Sequence, residues 1–137
     1  MSKPTQILMM DDDEEQCLAV KDVLAEEGYN VTTVSDGAQA LRYLDRMSDM
    51  GARLPALVLL DLAMPGMNGR EFLLVLETHP LFGKIPVAIC TAKEQIPVSR
   101  LVVGVLNKPF RVEALLSLVA KATGGPMAEP QGSPRAA

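Results

Sequence analysis

The chain alternates short apolar runs with longer segments in which apolar residues recur every three or four positions. Five runs of four or five residues, most of them rich in β-branched side chains, predict strands. These runs cover residues 7–10, 31–34, 56–60, 87–90 and 102–106. The periodic segments predict helices over residues 14–27, 37–48 and 69–78, and a final helix that begins near residue 112.

This order of elements predicts a single α/β domain built on a parallel sheet. Strands that are apolar along their length and alternate with helices are typical of a sheet that helices cover on both faces. We place this domain at residues 1–123. Residues 124–137 are rich in Gly, Pro, Ala and small polar side chains and carry no apolar stripe, so we predict a disordered C-terminal tail.

The connection between the last two predicted strands is unusually short. A crossover that contains a helix takes at least about 10–12 residues, and residues 92–101 only just meet that length. Pro97 also prevents a helix from running through the whole segment. We therefore expect a helix of one or two turns here, or none.

Composition and charge narrow the function classes. The 137 residues are 48% hydrophobic and carry a formal net charge of −4 with scattered basic residues, which argues against a nucleic-acid surface. No apolar run approaches the roughly 18 residues of a membrane span, and the N-terminus lacks the apolar core of a signal peptide. We therefore expect a cytoplasmic protein that does not insert into membranes. Cys17 and Cys90 are expected to be reduced and buried, and His79 to lie in an exposed loop.

Polar residues of a particular kind follow four of the five predicted strands. Asp11 and Asp12 follow the first strand, Asp61 the third, Thr91 the fourth, and Lys108 closely follows the fifth. The C-terminal ends of parallel strands lie along one edge of a sheet, where ligands bind at the switch point of the strand order. We therefore expect these side chains to meet, although they are far apart in sequence.

The chemistry of such a cluster suits a phosphoryl group held beside a metal ion. Three neighbouring carboxylates need a cation if all are to stay ionised, and a set of oxygen ligands favours Mg²⁺. The metal and the lysine ammonium would neutralise the phosphoryl oxygens, and the threonine hydroxyl would donate a hydrogen bond to them. One carboxylate would attack phosphorus in line, since an ionised aspartate needs no base to activate it.

Each of these residues also has a purely structural explanation. The acidic residues 11–15 could cap a helix and complement its dipole, and Asp61 could belong to a turn. Thr91 could cap a helix, and Lys108-Pro109 could form a turn. All of them follow apolar runs in the order expected for one sheet edge, which favours a common site.

Four segments together resemble a known family. They are ILMMDDDEEQ, LVLLDLAMPGMNGREFL, VAICTA and NKPF, and they look like the sequence blocks of the response-regulator receiver domain, the CheY-like family. The resemblance runs from about Ile7 to Ala122. It implies a flavodoxin-like (βα)5 fold, with a doubly wound parallel sheet in the order 2-1-3-4-5 and, in this chain, a shortened or missing fourth helix.

The resemblance also implies a role for each acidic residue. Asp61 would be the phosphoacceptor, taking a phosphoryl group from a histidine kinase or a phosphotransfer protein. Asp11 and Asp12 would hold Mg²⁺ together with Asp61 and the backbone carbonyl of Ala63. Asp13 would not be a ligand, and it would cap the first helix instead.

At the phosphoryl oxygens the resemblance places Thr91 and Lys108, and it implies a cis peptide between Lys108 and Pro109. The chain also departs from the pattern of the family. Val105 stands where relatives commonly carry a Tyr or Phe that rotates inward on phosphorylation. Coupling through a threonine and an aromatic ring therefore cannot operate here in its usual form.

The function that follows is that of a stand-alone, single-domain response regulator in a two-component phosphorelay. We expect no effector domain after residue 122, so the signal would pass to an unknown downstream partner protein. The alternative is a receiver-fold interaction module whose output does not depend on phosphorylation, which Val105 and the short crossover favour. We do not expect a turnover enzyme. A phosphohydrolase with an aspartate nucleophile would need an aspartate where Ala63 stands, and a dinucleotide enzyme would need a Gly-rich turn after the first strand.

Overall fold

A five-stranded parallel sheet organises the chain. In a computed structural model, which describes residues 4–62, 68–92 and 95–126, the strand order is β2-β1-β3-β4-β5. The strands are β1 (Gln6–Met10), β2 (Asn30–Val34), β3 (Leu57–Leu60), β4 (Val87–Thr91) and β5 (Val102–Asn107). Every pairing between neighbouring strands is parallel. The predicted strands, their order and the flavodoxin-like fold class are therefore confirmed.

Four helices of the described residues cover this sheet. They are α1 (Glu14–Glu26), α2 (Gly37–Asp49), α3 (Gly69–Thr78) and α4 (Val112–Thr123). Three of them begin after a short polar residue whose side-chain oxygen accepts a backbone N–H of the first turn, namely Asp13, Asp36 and Asn68. Asn68 and Glu71 complete a capping box at the start of α3. None of the helices in the described ranges has the length and apolar character needed to cross a membrane.

The two faces of the sheet carry separate apolar layers, because successive residues of a strand point to opposite faces. β3 is buried along its whole length and contributes to both layers. Val58 and Leu60 pack with residues of α2 and α3, whereas Leu57 and Leu59 pack with residues of α1 and α4. Burial of apolar surface therefore stabilises the sheet from both sides. The strands that precede the acidic residues, β1 and β3, lie in the middle of this arrangement.

The connection from β4 to β5 contains no helix among its described residues, 92 and 95–101. Ile96 packs against the core and Leu101 is buried in it. The prediction of a shortened or missing helix is confirmed for this part of the connection, and residues 93–94 lie outside the described residues. The physical reason is that the segment is short for a helical crossover and contains Pro97, which interrupts a helix.

Gly125 and Pro126, which follow α4, accept hydrogen bonds from Thr5, which precedes β1. Thr5 donates its backbone N–H to the carbonyl of Pro126 at 2.7 Å and its hydroxyl to the carbonyl of Gly125 at 2.7 Å. The predicted tail, residues 124–137, thus begins with residues that contact the domain. Residues 127–137 lie outside the described residues, and their disorder stays a prediction.

His79 lies in the loop that directly follows α3, as predicted, but it closes the C-terminal end of the helix and is half-buried rather than exposed. Its Nδ1 accepts the backbone N–H groups of Leu81 at 3.0 Å and of Phe82 at 3.1 Å. Its ring stacks on that of Phe82, with the ring centroids 3.9 Å apart. The imidazole therefore supplies an acceptor to a turn whose backbone N–H groups would otherwise lack one.

Candidate functional site

Asp11 is the buried centre of the candidate site. It follows β1 directly, and its backbone N–H donates to the carbonyl of Val34 at 3.1 Å, which fixes it at the edge of the sheet. Its side chain is only 1% exposed. The carboxylate accepts the backbone N–H of Asp13 at 3.0 Å and the ammonium of Lys108 at 2.7 Å. A buried carboxylate needs such partners, because removing an unpaired charge from water is costly.

Asp61 stands beside Asp11 at the end of the neighbouring strand. The backbone N–H of Asp61 donates to the carbonyl of Met10 at 2.9 Å, so the ladder between β1 and β3 continues into the site. The Asp61 side chain is 12% exposed, more than that of Asp11, and a reacting group from solvent can reach it more easily.

The structure brings together the three carboxylates that the sequence placed at this edge. Asp11, Asp12 and Asp61 each offer an oxygen, and these oxygens lie within 4.8 Å of one another. Asp11 is buried, Asp61 is half-buried and Asp12 is exposed, so the group extends from the interior to the solvent. Anionic oxygens at this separation are a donor set that fits a hard divalent cation such as Mg²⁺.

Lys108 reaches the same point from the end of β5. Its backbone N–H donates to the carbonyl of Thr91 at 2.7 Å, and the Lys108-Pro109 peptide is cis, as the resemblance implied. Its Nζ lies 2.7 Å from Oδ2 of Asp11 and 3.4 Å from Oδ2 of Asp61. Burial alone would lower the pKa of this ammonium, but the hydrogen bond and charge of Asp11, with a contribution from Asp61, raise the pKa above the ordinary 10.5. Lys108 is therefore charged at neutral pH.

Thr91 is buried at the last position of β4, opposite Asn107 in the register of β4 and β5. Its carbonyl fixes the backbone of Lys108, so the two residues lie at adjacent strand ends. A contact between its hydroxyl and phosphoryl oxygens stays a prediction. Ala63, the predicted backbone ligand of the metal, lies outside the described residues.

The run of acidic residues after β1 divides between the site and a helix. Asp13 accepts the backbone N–H of Gln16 at 3.1 Å and is the N-cap of α1, which confirms the helix-cap prediction. Glu14 and Glu15 occupy the first turn of α1, where negative charge interacts favourably with the helix dipole. The purely structural explanation is therefore correct for Asp13, Glu14 and Glu15, whereas Asp11 and Asp12 belong to the carboxylate cluster.

Gly69 is a site residue that the sequence did not single out. A Cβ at this position would lie 2.1 Å from the carbonyl oxygen of Asp61 and 2.7 Å from Cα of Leu62. The first turn of α3 therefore packs directly on the backbone of Asp61, at a distance that only glycine allows. The sequence did carry one signal for this contact. Asn68 and Glu71 have the spacing of a capping box, which indicates that a helix begins at Gly69, shortly after Asp61.

The two cysteines are free, buried thiols, as predicted. Burial raises the pKa of Cys90 from 9.0 to about 12. Burial, with the charges of Asp11 and Asp13, raises the pKa of Cys17 from 9.0 to about 11. The Cys17 thiol also donates to the carbonyl of Asp11 at 3.4 Å. Because the thiolate is the reactive form, neither side chain is a nucleophile at neutral pH.

We expect both thiols to react with iodoacetamide at pH 8 at least about tenfold more slowly in the folded protein than in denaturant. Because both pKa values are raised by folding, the protonated thiols stabilise the fold fully below pH 9, and this stability is lost as the pH rises from 9 through about 11 and 12. Mass spectrometry of alkylated protein measures the rates, and urea unfolding at pH 8 and pH 10 measures the stability. Rapid labelling of Cys90 in the folded protein would contradict this prediction.

An α/β domain with acidic side chains and a lysine at the carboxyl edge of its sheet belongs to the class that binds ligands at that edge. The family model of the response regulator receiver domain matches residues 7–120. The chain therefore belongs to the response regulator receiver domain family, as its sequence blocks indicated. Receiver domains are signalling switches, and this chain is the receiver domain of a response regulator in two-component signalling.

Curated relatives are longer than this chain. It is 40% identical over 89 residues to the transcriptional regulatory protein CpxR of Escherichia coli K12, a match that covers 64% of this chain and 34% of CpxR. It is 34% identical over 118 residues to the uncharacterized transcriptional regulatory protein YkoG of Bacillus subtilis, covering 82% of this chain and 48% of YkoG. The matches thus span about a third to a half of these relatives.

Solved structures agree with the fold. A putative response regulator from Chloroflexus aurantiacus superposes with a TM-score of 0.76 at 26% identity, covering 89% of this chain and 99% of that one. The chemotaxis protein CheY4 of Vibrio cholerae superposes with a TM-score of 0.73 at 24% identity, covering 86% of this chain and 98% of that one. The second likeness bears on the fold alone.

Proposed function

We propose that this receiver domain accepts a phosphoryl group on Asp61 from the phosphohistidine of a histidine kinase or a phosphotransfer protein, in the presence of Mg²⁺. The observation that carries the proposal is the meeting of Asp61 with two further carboxylates and the Lys108 ammonium at one edge of the sheet. A structural ion pair would need only one carboxylate beside the lysine. Three carboxylates and one ammonium leave an excess of negative charge, which a divalent cation would neutralise.

The carboxylates of Asp11, Asp12 and Asp61 would hold the metal, with the backbone carbonyl of Ala63 as the further predicted ligand. Their fit rests on the donor chemistry, since all of the described donors are hard anionic oxygens. When bound, Mg²⁺ would neutralise charge on the phosphoryl oxygens.

The side chains of the protein would perform a simple displacement. A carboxylate oxygen of Asp61 forms a bond to phosphorus as the bond from phosphorus to the imidazole nitrogen of the donor breaks. The electron pair of the broken bond stays on that nitrogen, and the ring leaves as neutral histidine because its other nitrogen carries a proton. Lys108, whose Nζ is 3.4 Å from Asp61, would pair with the transferred oxygens, and Thr91 would donate its hydroxyl to them.

We further propose that the signal passes to a downstream partner protein rather than directly to nucleic acid, and that the protein acts in the cytoplasm. The scattered basic residues and the net charge of −4 support a protein partner rather than nucleic acid. CpxR is by name a transcriptional regulatory protein, and only 34% of its length is matched here, so its output is not transferred to this chain.

A second candidate is a receiver-fold interaction module whose output does not depend on phosphorylation. Val105 supports it, because this valine is 37% exposed on β5 where relatives commonly carry the aromatic residue that responds to phosphorylation. The absence of a helix from the described part of the connection between β4 and β5 supports it as well.

Intact mass after incubation with Mg²⁺ and acetyl phosphate tests the proposal. We expect the unmodified protein to gain the mass of one phosphoryl group, and Asp61→Asn to gain none, because the amide is not a nucleophile. Asp45→Asn, an exposed aspartate of α2, is the matched control and should gain the same mass as the unmodified protein. No mass gain in the unmodified protein would refute the proposed function. A mass gain without any change in amide exchange over residues 91–110 would favour the second candidate.

A further inference from the structure

Asn68, the N-cap of α3, and Gly69, its first residue, form the one Asn-Gly pair of the sequence. In an unfolded chain such a pair is chemically labile, because the backbone nitrogen of the glycine can attack the carboxamide carbon of the asparagine. A side chain on the second residue hinders this attack, and glycine has none. Gly69 is nevertheless required, since a Cβ here would lie 2.1 Å from the carbonyl oxygen of Asp61. The contact between α3 and the Asp61 backbone therefore places a labile pair at the start of α3.

The folded structure keeps the two reacting groups of this pair apart. The Asn68 carboxamide accepts the backbone N–H of Glu71 at 3.0 Å, and the Glu71 carboxylate accepts the backbone N–H of Asn68 at 3.4 Å. The attacking nitrogen is also occupied, because the N–H of Gly69 donates to the carbonyl of Leu62 at 3.2 Å. The attack needs Cβ of Asn68 and the nitrogen of Gly69 to eclipse each other about the Cα–C bond. The extended backbone of Asn68, with ψ at 175°, keeps them staggered.

The first turn of α3 is tied to the core as well. The carbonyl of Asn68 accepts the backbone N–H of Phe72 at 3.0 Å, and Phe72 is fully buried. Rotation about the Cα–C bond of Asn68 would turn the buried Gly69 out of its place against Asp61. The reactive geometry is therefore reached only when the first turn of α3 opens, a local unfolding event with its own cost in free energy.

We propose that Asn68 is a deamidation site that the folded first turn of α3 keeps closed, and that its isoaspartyl product disables Asp61. When the turn opens, the nitrogen of Gly69 loses its proton and forms a bond to Cγ of Asn68. The C–N bond of the carboxamide breaks, and its nitrogen takes up the proton and leaves as ammonia. Water then breaks one of the two C–N bonds of the cyclic imide, so residue 68 becomes aspartate or isoaspartate. Water is the only co-reactant.

The two products differ in their effect on Asp61. Aspartate leaves the backbone unchanged and is as good an N-cap as asparagine. Isoaspartate carries its side-chain carbon in the main chain, which lengthens the backbone before Gly69 by one atom. The close contact of Gly69 with the Asp61 carbonyl leaves no space for this extra atom, so the contact must be lost. The effect on Asp61 rests on the proposed function, whereas the deamidation itself does not.

Peptide mass mapping measures deamidation of the full chain in buffer and in urea above the unfolding midpoint, at the same mildly alkaline pH. We expect Asn68 to deamidate at least about thirtyfold more slowly in the folded protein, because the reaction must wait for the turn to open. Asn30 and Asn107, which precede a valine and a lysine, are internal controls that should stay unmodified in urea over the same period. Equal rates for Asn68 in buffer and in urea, or no reaction in urea, would overturn the proposal.

Glu71→Ala tests whether the first turn of α3 closes the site. We expect this variant to deamidate about threefold faster than the unmodified protein in buffer and at the same rate in urea, because it loses the bond to the Asn68 N–H. Glu113→Ala, which removes an exposed glutamate from the first turn of α4, is the matched control and should leave both rates unchanged. Equal rates for the two variants in buffer would overturn protection by this turn.

Phosphoryl transfer distinguishes the two products. We expect Asn68→Asp to gain a phosphoryl group from acetyl phosphate and Mg²⁺ at no less than about half the normal rate. The isoaspartyl protein, separated by chromatography after urea treatment and refolding, should gain it at least about tenfold more slowly, because Asp61 is displaced. Normal gain in the isoaspartyl protein would overturn the effect on Asp61. A failure of the unmodified protein to gain mass would refute the proposed function and that effect, while the deamidation rates would still decide whether Asn68 is a protected site.

Discussion

Lys108→Met is expected to destabilise the protein by about 3 kcal/mol in buffer free of divalent cations, the cost of leaving a buried charge without its partner. The lysine Nζ lies 2.7 Å from Asp11, whose side chain is 1% exposed, and 3.4 Å from Asp61. Without the ammonium, the carboxylates of Asp11 and Asp61 would lie close to each other and to that of Asp12, and the lysine charge would no longer offset their repulsion. The methionine keeps most of the volume of the aliphatic chain, so the change isolates the charge.

Urea unfolding measures this effect, with Lys84→Met as the matched control, because Lys84 is an exposed lysine. We expect Lys84→Met to change the free energy of unfolding by no more than about 0.5 kcal/mol. Mg²⁺ is expected to stabilise Lys108→Met more than the unmodified protein, since a bound cation would replace the lost positive charge without competition from the ammonium. Equal stabilities of the two variants would contradict the assignment of Lys108 as the partner of a buried carboxylate.

The meeting of Lys108 with Asp11 and Asp61 could be predicted because parallel topology decides it. Strand ends that carry polar residues must share one edge once the strands are parallel, and the strand order then sets which of them are neighbours. The sequence could not supply the lengths of the ion pairs, because these depend on side-chain rotamers and on the backbone after β5. It also could not tell which aspartate is buried. That difference depends on tertiary contacts, because the carboxylate of Asp11 accepts the backbone N–H of Asp13 and lies 2.7 Å from the Lys108 ammonium, which is 3.4 Å from Asp61.

The residues whose roles escaped prediction act through hydrogen bonds between their side chains and backbone atoms. Short length and Pro97 indicated that a helix would be reduced between β4 and β5, but nothing local showed what would satisfy the irregular backbone there. Arg70 of α3 donates to the carbonyl of Gln95, and Arg100 donates from the connection to the carbonyls of Glu77 and Gly83 at the end of α3. His79 similarly bonds to two backbone N–H groups in a turn, a role that has no sequence period. Side chains that bond to the backbone of a turn or of another element leave no repeating pattern in the sequence, so only the structure reveals them.

Gly69→Ala is expected to destabilise the protein by about 3 kcal/mol, although alanine is favoured over glycine in a helix by about 1 kcal/mol. The added methyl group would lie 2.1 Å from the carbonyl oxygen of Asp61 and 2.7 Å from Cα of Leu62, and both are backbone atoms that cannot rotate away. The start of α3 or the backbone of Asp61 must therefore move. Urea unfolding measures the loss of stability. Because Asp61 is the proposed phosphoacceptor, we also expect the folded variant, far below its unfolding midpoint in urea, to gain a phosphoryl group from acetyl phosphate more slowly.

Gly104→Ala is the matched control, because the same atom is added against a neighbour of a different kind. Its Cβ would lie 2.6 Å from Cδ1 of Leu118, the end of a flexible side chain that can change rotamer. We expect this variant to lose less than about 1 kcal/mol and to gain a phosphoryl group at the normal rate. Comparing the two variants separates the general effect of adding a methyl group to a tightly packed position from the effect of the contact with the Asp61 backbone. If both variants lost the same stability and Gly69→Ala were phosphorylated at the normal rate, the packing of α3 on the Asp61 backbone would have no bearing on the site.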